Sequence, residues 1–210
     1  TYPYESIVSV VAPNGAYLTY DNFEVISGSI KYGESSALSL IVENVGVEHA
    51  TNIEGTVTTD DPYVILDDSN ITFGYIGAGE FSQSDDTFSF TLLNSIPNGH
   101  SINFNISMGD WESSFSIEAI APLFIAENPI LIDDNGDGIW DAGESAIISV
   151  DLANYGDADF NNYPGANLTI NSPYVIETVA DYNIFYGIAP QTTYEGQFFI
   201  ESASDVPDGT

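Results

Sequence analysis

The stretch Gly33-Glu34-Ser35-Ser36-Ala37-Leu38-Ser39-Leu40-Ile41-Val42 decides the fold, because apolar and polar side chains nearly alternate along it. A period of two is typical of a half-buried β-strand. The same pattern runs through Phe88-Ser89-Phe90-Thr91-Leu92 and Ile102-Asn103-Phe104-Asn105-Ile106, and turn-forming segments such as Pro97-Asn98-Gly99 separate such stretches. Many short strands with frequent turns, and no sustained apolar stripe at a period of 3.6, predict an all-β sandwich.

An internal repeat sets the domain organisation. Gly33-Glu34-Ser35 recurs as Gly143-Glu144-Ser145 at an offset of 110, and Pro62-Tyr63-Val64-Ile65 recurs as Pro173-Tyr174-Val175-Ile176 at an offset of 111. A repeat of about 110 residues has the usual size of an immunoglobulin-like domain. The sequence therefore predicts two tandem immunoglobulin-like β-sandwiches, repeat A over residues 13–121 and repeat B over residues 122–210.

The two repeats do not match at their ends. Repeat A continues with residues 101–106 and 111–121, which predict a closing hairpin, whereas repeat B stops where that hairpin would begin. Residues 1–12 resemble the last strand of a repeat, so we expect them to be the terminal strand of a preceding repeat in a longer array. The alternative is a donor strand that completes a neighbouring subunit's sandwich head to tail through its apolar side chains, namely Ile7, Val8, Val10 and Val11.

Charge excludes several classes of function. The 210 residues include 32 acidic side chains and one basic side chain, Lys31, which gives a formal net charge of −31. Such a chain repels nucleic-acid phosphates and anionic lipid headgroups, so neither is expected as a partner. The absence of cysteine excludes disulfides and thiolate zinc sites. No apolar run approaches the roughly 20 residues that span a bilayer, so membrane insertion is not expected. The acidic balance favours an extracellular or cell-surface location.

One motif carries metal chemistry. Residues 133–144 read Asp-Asp-Asn-Gly-Asp-Gly-Ile-Trp-Asp-Ala-Gly-Glu and fit the twelve-residue calcium-loop pattern, with Gly138 at position six. The flanking residues 123–126 and 146–150 predict strands rather than the helices of an EF-hand. We therefore expect a structural Ca²⁺ brace between strands, and the alternative is an ordinary acidic turn. The predicted ligands are the side chains of Asp133, Asn135, Asp137, Asp141 and bidentate Glu144, with the carbonyl oxygen of Ile139.

Repeat A has no acidic loop at the equivalent place. At the same offset Ser27 stands opposite Asp137 and Lys31 stands opposite Asp141, although a one-residue gap would place Lys31 opposite Trp140. The ammonium group of Lys31 could neutralise Glu34 in place of a calcium ion. The alternative is a solvated surface lysine.

The acidic loop ending in Gly143-Glu144, followed by a strand and Asn154-Tyr155-Gly156, supports a resemblance. Together these motifs resemble the tandem immunoglobulin-like repeats of secreted bacterial surface proteins, namely CARDB-type adhesion modules and the repeats that trail gingipain-like peptidases. The resemblance covers both repeats but is specific only around these motifs, since repeat A lacks the acidic loop. It implies an extracellular spacer, adhesive or assembly role rather than an enzymatic activity.

Catalytic and glycan-related signals are weak. His49 and His100 fall between strands without a nearby nucleophile motif, and are expected to be solvated turn residues. The acid pairs Asp67-Asp68 and Asp85-Asp86 are expected from composition alone rather than from glycoside hydrolysis. Three sites match the N-glycosylation pattern, namely Asn70, Asn105 and Asn167, and the alternative is a chance match in a chain rich in Asn, Ser and Thr. Trp111, Trp140 and the tyrosines either bind sugars or fill the sandwiches.

Together these observations predict a non-catalytic structural or adhesive protein, a calcium-braced array or filament at the cell surface. Its expected partners are copies of itself or neighbouring repeats of a longer chain, and glycans are a further candidate. One alternative is the accessory region of a secreted peptidase. Another is a carbohydrate-binding module with exposed aromatic side chains.

Overall fold

A computed structural model describes residues 14–160, 164–179, 182–184 and 187–207 of the chain. Every regular element in these ranges is a β-strand, and the strands pair in antiparallel sheets. The predicted all-β sandwich fold is confirmed. The chain divides into two units, residues 1–119 and residues 120–210, and the division falls two residues before the boundary expected from the repeat. The expected donor residues, Ile7 to Val11, lie outside the described ranges.

The first unit is a sandwich of two sheets. One sheet has the strand order β1-β2-β7-β4, with β6 also paired to β2, and the other has the order β5-β3-β8-β9. The predicted closing hairpin is present as β8 and β9. At its open end Ser101 is opposite Glu118, and at its turn Met108 is opposite Trp111. The strands are β1 (Leu18–Gly28), β2 (Ser35–Asn44), β3 (Ala50–Thr58), β4 (Val64–Asp68), β5 (Asn70–Ile76), β6 (Phe81–Gln83), β7 (Phe88–Leu92), β8 (Ser101–Met108) and β9 (Trp111–Glu118).

The core of the first unit follows from the alternation read in the sequence. On β8 every second side chain is buried, and the same holds for β7. The Phe104 ring lies 5.2 Å from Phe115, 5.3 Å from Phe90 and 5.6 Å from Phe88, between centroids. Aromatic rings at these separations gain attraction beyond the burial of their area. Phenylalanines from both sheets therefore hold the sandwich together.

The second unit repeats the topology of the first. Its larger sheet has the order β10-β11-β15-β13, which matches β1-β2-β7-β4 strand for strand, and β12 pairs with β14 as β3 pairs with β5. In the described part of this unit, no strands correspond to β8 and β9. The strands are β10 (Phe124–Asp133), β11 (Ser145–Asn154), β12 (Gly165–Asn167), β13 (Val175–Val179), β14 (Tyr182–Ile184) and β15 (Thr192–Ser202).

Burial differs between the two units at equivalent positions. Leu38 and Leu40 on β2 are fully buried, whereas the equivalent Ile148 and Val150 on β11 are only half-buried. In the first unit β8 and β9 belong to the facing sheet, and their inward side chains such as Ile102 and Phe104 are buried in the core. The inner face of the larger sheet in the second unit is thus less completely covered by the described residues.

The described residues contain no helix with the length and apolar character that a membrane crossing needs.

Candidate functional site

The predicted calcium loop joins two strands, as the sequence indicates. Asp133 is the last residue of β10 and pairs with Ala146 of β11, so the loop closes a β-hairpin at an edge of the larger sheet. Gly138 at position six has φ +85°, a left-handed conformation that side chains with a Cβ rarely adopt. The predicted strands on both sides of the loop are confirmed, and the positive φ of Gly138 agrees with the sharp turn expected there.

The Glu144 carboxylate closes the loop. Its Oε1 accepts a hydrogen bond from the backbone N–H of Asn135 at 3.1 Å, and its Oε2 accepts one from the N–H of Asp141 at 2.9 Å. The Trp140 indole Nε1 donates to the Glu144 carbonyl oxygen at 2.9 Å. One side chain therefore connects the beginning of the loop with its end, and it is the residue that the pattern assigns as the bidentate ligand.

Three further predicted ligands also turn their oxygens towards the loop backbone. Asp133 Oδ2 accepts from the N–H of Gly138 at 3.2 Å, and Asn135 Oδ1 accepts from the N–H of Asp137 at 2.8 Å. Asp137 Oδ1 accepts from the N–H of Ile139 at 2.8 Å. Asn and Asp side chains commonly bond the backbone two residues ahead, and such bonds fix the shape of a turn.

The electrostatics of Asp133 favour its charged form. Desolvation alone would raise the pKa of this carboxyl, but backbone N–H groups, led by that of Gly138, outweigh it and lower the pKa. Donors to a carboxylate stabilise its ionised state. Asp133 is therefore anionic at neutral pH, as a cation ligand must be.

The donor set fits a hard cation by its chemistry, since every predicted ligand atom is oxygen. Yet within the described residues, no three acidic or histidine side chains lie together as a group that could hold a metal ion. Asp133, Asn135 and Asp137 each accept instead from a different backbone N–H. Asp141 is exposed, and its N–H rather than its carboxylate meets Glu144. Calcium at this loop remains a prediction.

The loop between β1 and β2 in the first unit is shorter than the loop between β10 and β11, although an offset of 110 throughout would make them equal in length. Seven residues separate Gly28 from its strand partner Ser36, whereas twelve separate Asp133 from Ala146. Ser27 lies inside β1, paired with Ala37, so the expected equivalence of Ser27 with Asp137 is wrong. The cause is a length difference of five residues ahead of the shared Gly-Glu, which no uniform offset can represent.

The expectation for Lys31 agrees with the geometry. The N–H of Glu34 donates to the Lys31 carbonyl at 3.1 Å, just as the N–H of Glu144 donates to that of Asp141 at 3.2 Å. Lys31 thus occupies the backbone position of Asp141. Its Nζ lies 4.0 Å from Glu34 Oε1, and the lysine side chain is mostly buried. In the first unit a positive charge therefore lies beside Glu34, the counterpart of Glu144.

The weak catalytic candidates have structural partners. His100 Nε2 lies 2.7 Å from Asp61 Oδ2, so this histidine is not the solvated turn residue that the sequence suggested. His49 is exposed and stacks on Tyr75. Asp86 accepts hydrogen bonds from the N–H and hydroxyl groups of Thr72. Asp67 accepts a hydrogen bond from the Thr91 hydroxyl, and Asp68 accepts one from the N–H of Asn70.

All three predicted glycosylation sites are exposed. Asn105 lies on β8 with its neighbour Ile106 buried, as the alternation predicts, and Asn167 lies on β12. Asn70 begins β5, and its side chain contacts Asp68. Exposure is compatible with modification of each site, which stays a prediction.

Sequence reasoning missed two important asparagines. Asn44 and Asn154 are both fully buried at the ends of β2 and β11, and each makes four side-chain hydrogen bonds. The sequence contains a signal for them, because Asn44 and Asn154 each begin the Asn-x-Gly element that recurs in the two repeats. The recurrence relates the two repeats, but by itself it does not indicate that the asparagine side chains are buried.

Comparisons with known proteins identify no family. No family model matches the chain, and no curated protein matches it. Among solved structures, the chain is similar to the secreted serine protease VesC from Vibrio cholerae, at 10% sequence identity and a TM-score of 0.29. The match covers 91% of this chain and 48% of that protein, so this chain spans about half its length. A similarity this low carries no argument about fold or function.

Proposed function

We propose that the chain is a non-catalytic structural or adhesive protein of the cell surface, built from immunoglobulin-like repeats of which the second is braced by Ca²⁺. The observation that carries the proposal is the loop of residues 133–144, in which Glu144 joins both ends and the oxygens of Asp133, Asn135 and Asp137 accept hydrogen bonds from the loop backbone. This loop connects an edge strand to the centre of the sheet. Fixing it holds β10 in register.

Calcium would act here by neutralising charge. The loop concentrates four aspartates and a glutamate within twelve residues, and like charges at such separations repel one another. Asp133, Asn135, Asp137, Asp141 and Glu144 would supply side-chain oxygens, and Ile139 its carbonyl. The first unit carries Lys31 beside Glu34 at the matching turn, so a positive charge is already present there.

The first prediction concerns the metal. Ca²⁺ should raise the melting temperature of the second unit, because a ligand that binds only the folded state stabilises it by mass action, about 2.7 kcal/mol at 100 times Kd. Asp137→Ala should remove most of that shift. The measurement is thermal unfolding with Ca²⁺ or with a chelator, followed by Trp140 fluorescence in a Trp111→Phe background.

The matched control is Asp134→Ala, which removes the same charge from the same loop at a position outside the predicted ligand set. It should keep the calcium shift. Trp111, followed in a Trp140→Phe background, should report no calcium effect on the first unit. Equal calcium shifts in Asp137→Ala, Asp134→Ala and the unaltered loop would exclude the brace.

Strand pairing with copies of this chain or with neighbouring repeats is a second element of the proposal. In the first unit β3 pairs with β5 on one side and with β8 on the other, whereas in the described residues β12 pairs with β14 alone. An unpaired strand edge accepts a strand from another chain. We infer that copies of this chain, or neighbouring repeats, supply that strand.

The second prediction tests the donor segment. If residues 4–12 of one copy help to complete the smaller sheet in the second unit of another, deleting residues 1–12 should reduce the assembly size measured by light scattering. The control replaces Ile7, Val8, Val10 and Val11 with serine and keeps the length, which should give the same reduction because β-branched apolar side chains drive the docking. An assembly size that neither change affects would rule out donation by this segment.

A further inference from the structure

A row of apolar side chains crosses the larger sheet of the second unit on its outer face. Ile132 of β10 is directly opposite Ile147 of β11, which is directly opposite Phe199 of β15. Residues directly opposite each other in an antiparallel sheet project from the same face. Along β15 the neighbours Phe198 and Ile200 are buried, whereas Phe199 is 45% exposed, so the row lies on the face away from the core.

Two more apolar side chains extend this row. Ile130 lies two residues before Ile132 on β10, and Ile176 of β13 is opposite Glu201, two residues after Phe199. Both are about half exposed. We call Ile130, Ile132, Ile147, Ile176 and Phe199 the outer-face patch. Single exposed apolar residues are ordinary on protein surfaces, but a contiguous set marks an interaction site.

The first unit shows that the fold does not require this patch. The strands that match β10, β11 and β15 place Ser27, Ala37 and Ser89 opposite one another at the same register. Of the five patch positions, only Ile176 has an apolar counterpart of similar size, Ile65. The same sheet therefore forms with small or polar residues at this row, so its strand pairing does not require the isoleucines and the phenylalanine.

Carboxylates surround the patch. Glu201 lies on the same face as Phe199, and Asp134 lines the same surface depression as Ile132, Ile147 and Phe199. Further along β15 the side chain of Glu195 accepts hydrogen bonds from Gln197 and Ser149, which lower its pKa and keep it anionic. The rim is negative, as is the chain, at −31.

We propose that the outer-face patch binds a polypeptide that presents apolar side chains flanked by lysine or arginine. Burial of the isoleucines and Phe199 supplies the affinity, and the acidic rim selects the partner by charge. A second copy of this chain does not fit, because its face would bring Glu201 and Asp134 against the same carboxylates, and the chain has one lysine with which to compensate.

The test uses the full chain and a synthetic peptide in which leucine alternates with serine and lysines stand at both ends. As a strand, this peptide has one apolar face with a cationic group at each end of it. A peptide with serine in place of every leucine has the same charge without the apolar face. Binding is measured by fluorescence anisotropy of labelled peptide at fixed ionic strength. We expect the leucine peptide to bind about tenfold tighter or more than the serine peptide.

The decisive variant carries Ile132→Ser, Ile147→Ala and Phe199→Ser, the residues found at this register in the first unit. It should lose the preference for the leucine peptide and keep the weak binding of the serine peptide. Phe199→Ser alone should lose part of the preference for the leucine peptide. This single variant provides the test if circular dichroism shows that the triple variant does not fold. The reciprocal variant, with Ser27→Ile, Ala37→Ile and Ser89→Phe, should bind one more leucine peptide per chain than the unaltered chain.

Two results would overturn the proposal. Undiminished preference for the leucine peptide in the triple variant, or in Phe199→Ser where only that variant folds, would place the binding elsewhere. Light scattering that shows a dimer in the unaltered chain and a monomer in the variant with this row replaced would show that a second copy occupies the patch.

Discussion

Replacing Asn154 with alanine should destabilise the second unit by about 3–5 kcal/mol, a large part of the 5–15 kcal/mol that holds a typical domain folded. The side chain is fully buried. Its Oδ1 accepts from the N–H groups of Leu123 and Gly156, both at 3.0 Å. Its Nδ2 donates to the carbonyls of Ala158 at 2.9 Å and Ile188 at 3.1 Å. Alanine would remove all four of these hydrogen bonds, and of the four backbone groups the Ile188 carbonyl would still accept the N–H of Phe160.

The first unit contains the same arrangement. Asn44 Oδ1 accepts from the N–H groups of Tyr17 at 3.0 Å and Gly46 at 3.1 Å, and its Nδ2 donates to the carbonyls of Glu48 at 2.7 Å and Ile76 at 3.2 Å. In both units one amide thus joins the chain entering the first strand, the turn after the second strand, and a distant segment, which is the end of β5 in the first unit and Ile188 in the second. Only an amide fits, because it offers two acceptor sites and two donors.

Two substitutions separate hydrogen bonding from packing. Asn154→Asp keeps the shape but cannot donate to Ala158 and Ile188, and it buries a charge, so it should destabilise at least as much as alanine at neutral pH. Asn167→Ala removes an exposed asparagine from the same unit and should cost no more than about 0.5 kcal/mol.

The measurement uses the two tryptophans, one in each unit. Urea unfolding followed by Trp140, in a Trp111→Phe background, should show a lower midpoint for Asn154→Ala than for Asn167→Ala. Followed by Trp111, in a Trp140→Phe background, the midpoint of the first unit should stay unchanged. Equal midpoints for the two alanine variants would show that the buried amide contributes nothing specific.

Much of the fold was predictable because its signal is local. Alternation along residues 37–42, 88–92 and 101–106 sets the strands, and the repeat of Gly-Glu and Asn-x-Gly relates the two units. The error at Ser27 arose because a constant offset cannot reveal a length difference within a loop. Strand register, which depends on pairing across the sheet, places Ser27 opposite Ala37 instead.

The site was predictable in part for a related reason. The loop pattern identifies oxygen donors, and its glycines and flanking strands follow from the sequence. Which atom each side-chain oxygen faces depends on competing backbone N–H groups, and here Asp133, Asn135 and Asp137 accept from three different ones. The outer-face patch escaped notice because Ile130-Leu131-Ile132 is a continuous apolar run, which does not indicate the face of each side chain.

The other large loss of stability is expected from substitution of Gly46, the glycine of the Asn-x-Gly element in the first unit. A Cβ built on Gly46 would lie within 3.0 Å of the Gly15 carbonyl oxygen and the Tyr17 backbone nitrogen. Real Cβ atoms do not approach backbone this closely. Gly15 O also accepts the N–H of Val47 at 2.8 Å, and the N–H of Tyr17 donates to Asn44, so neither atom can move without breaking a hydrogen bond.

Gly46→Ala should therefore destabilise the first unit by about 3 kcal/mol or more. The control is Gly79→Ala, where φ is +74° but no atom lies within 4 Å of the added Cβ. That change should cost only about 1 kcal/mol, the usual penalty for a side chain in the left-handed region. Urea unfolding of both variants, followed by Trp111 in the Trp140→Phe background, compares them in one unit. If Gly46→Ala cost no more than Gly79→Ala, the close approach of the two backbone segments would not be what requires glycine after the buried asparagine.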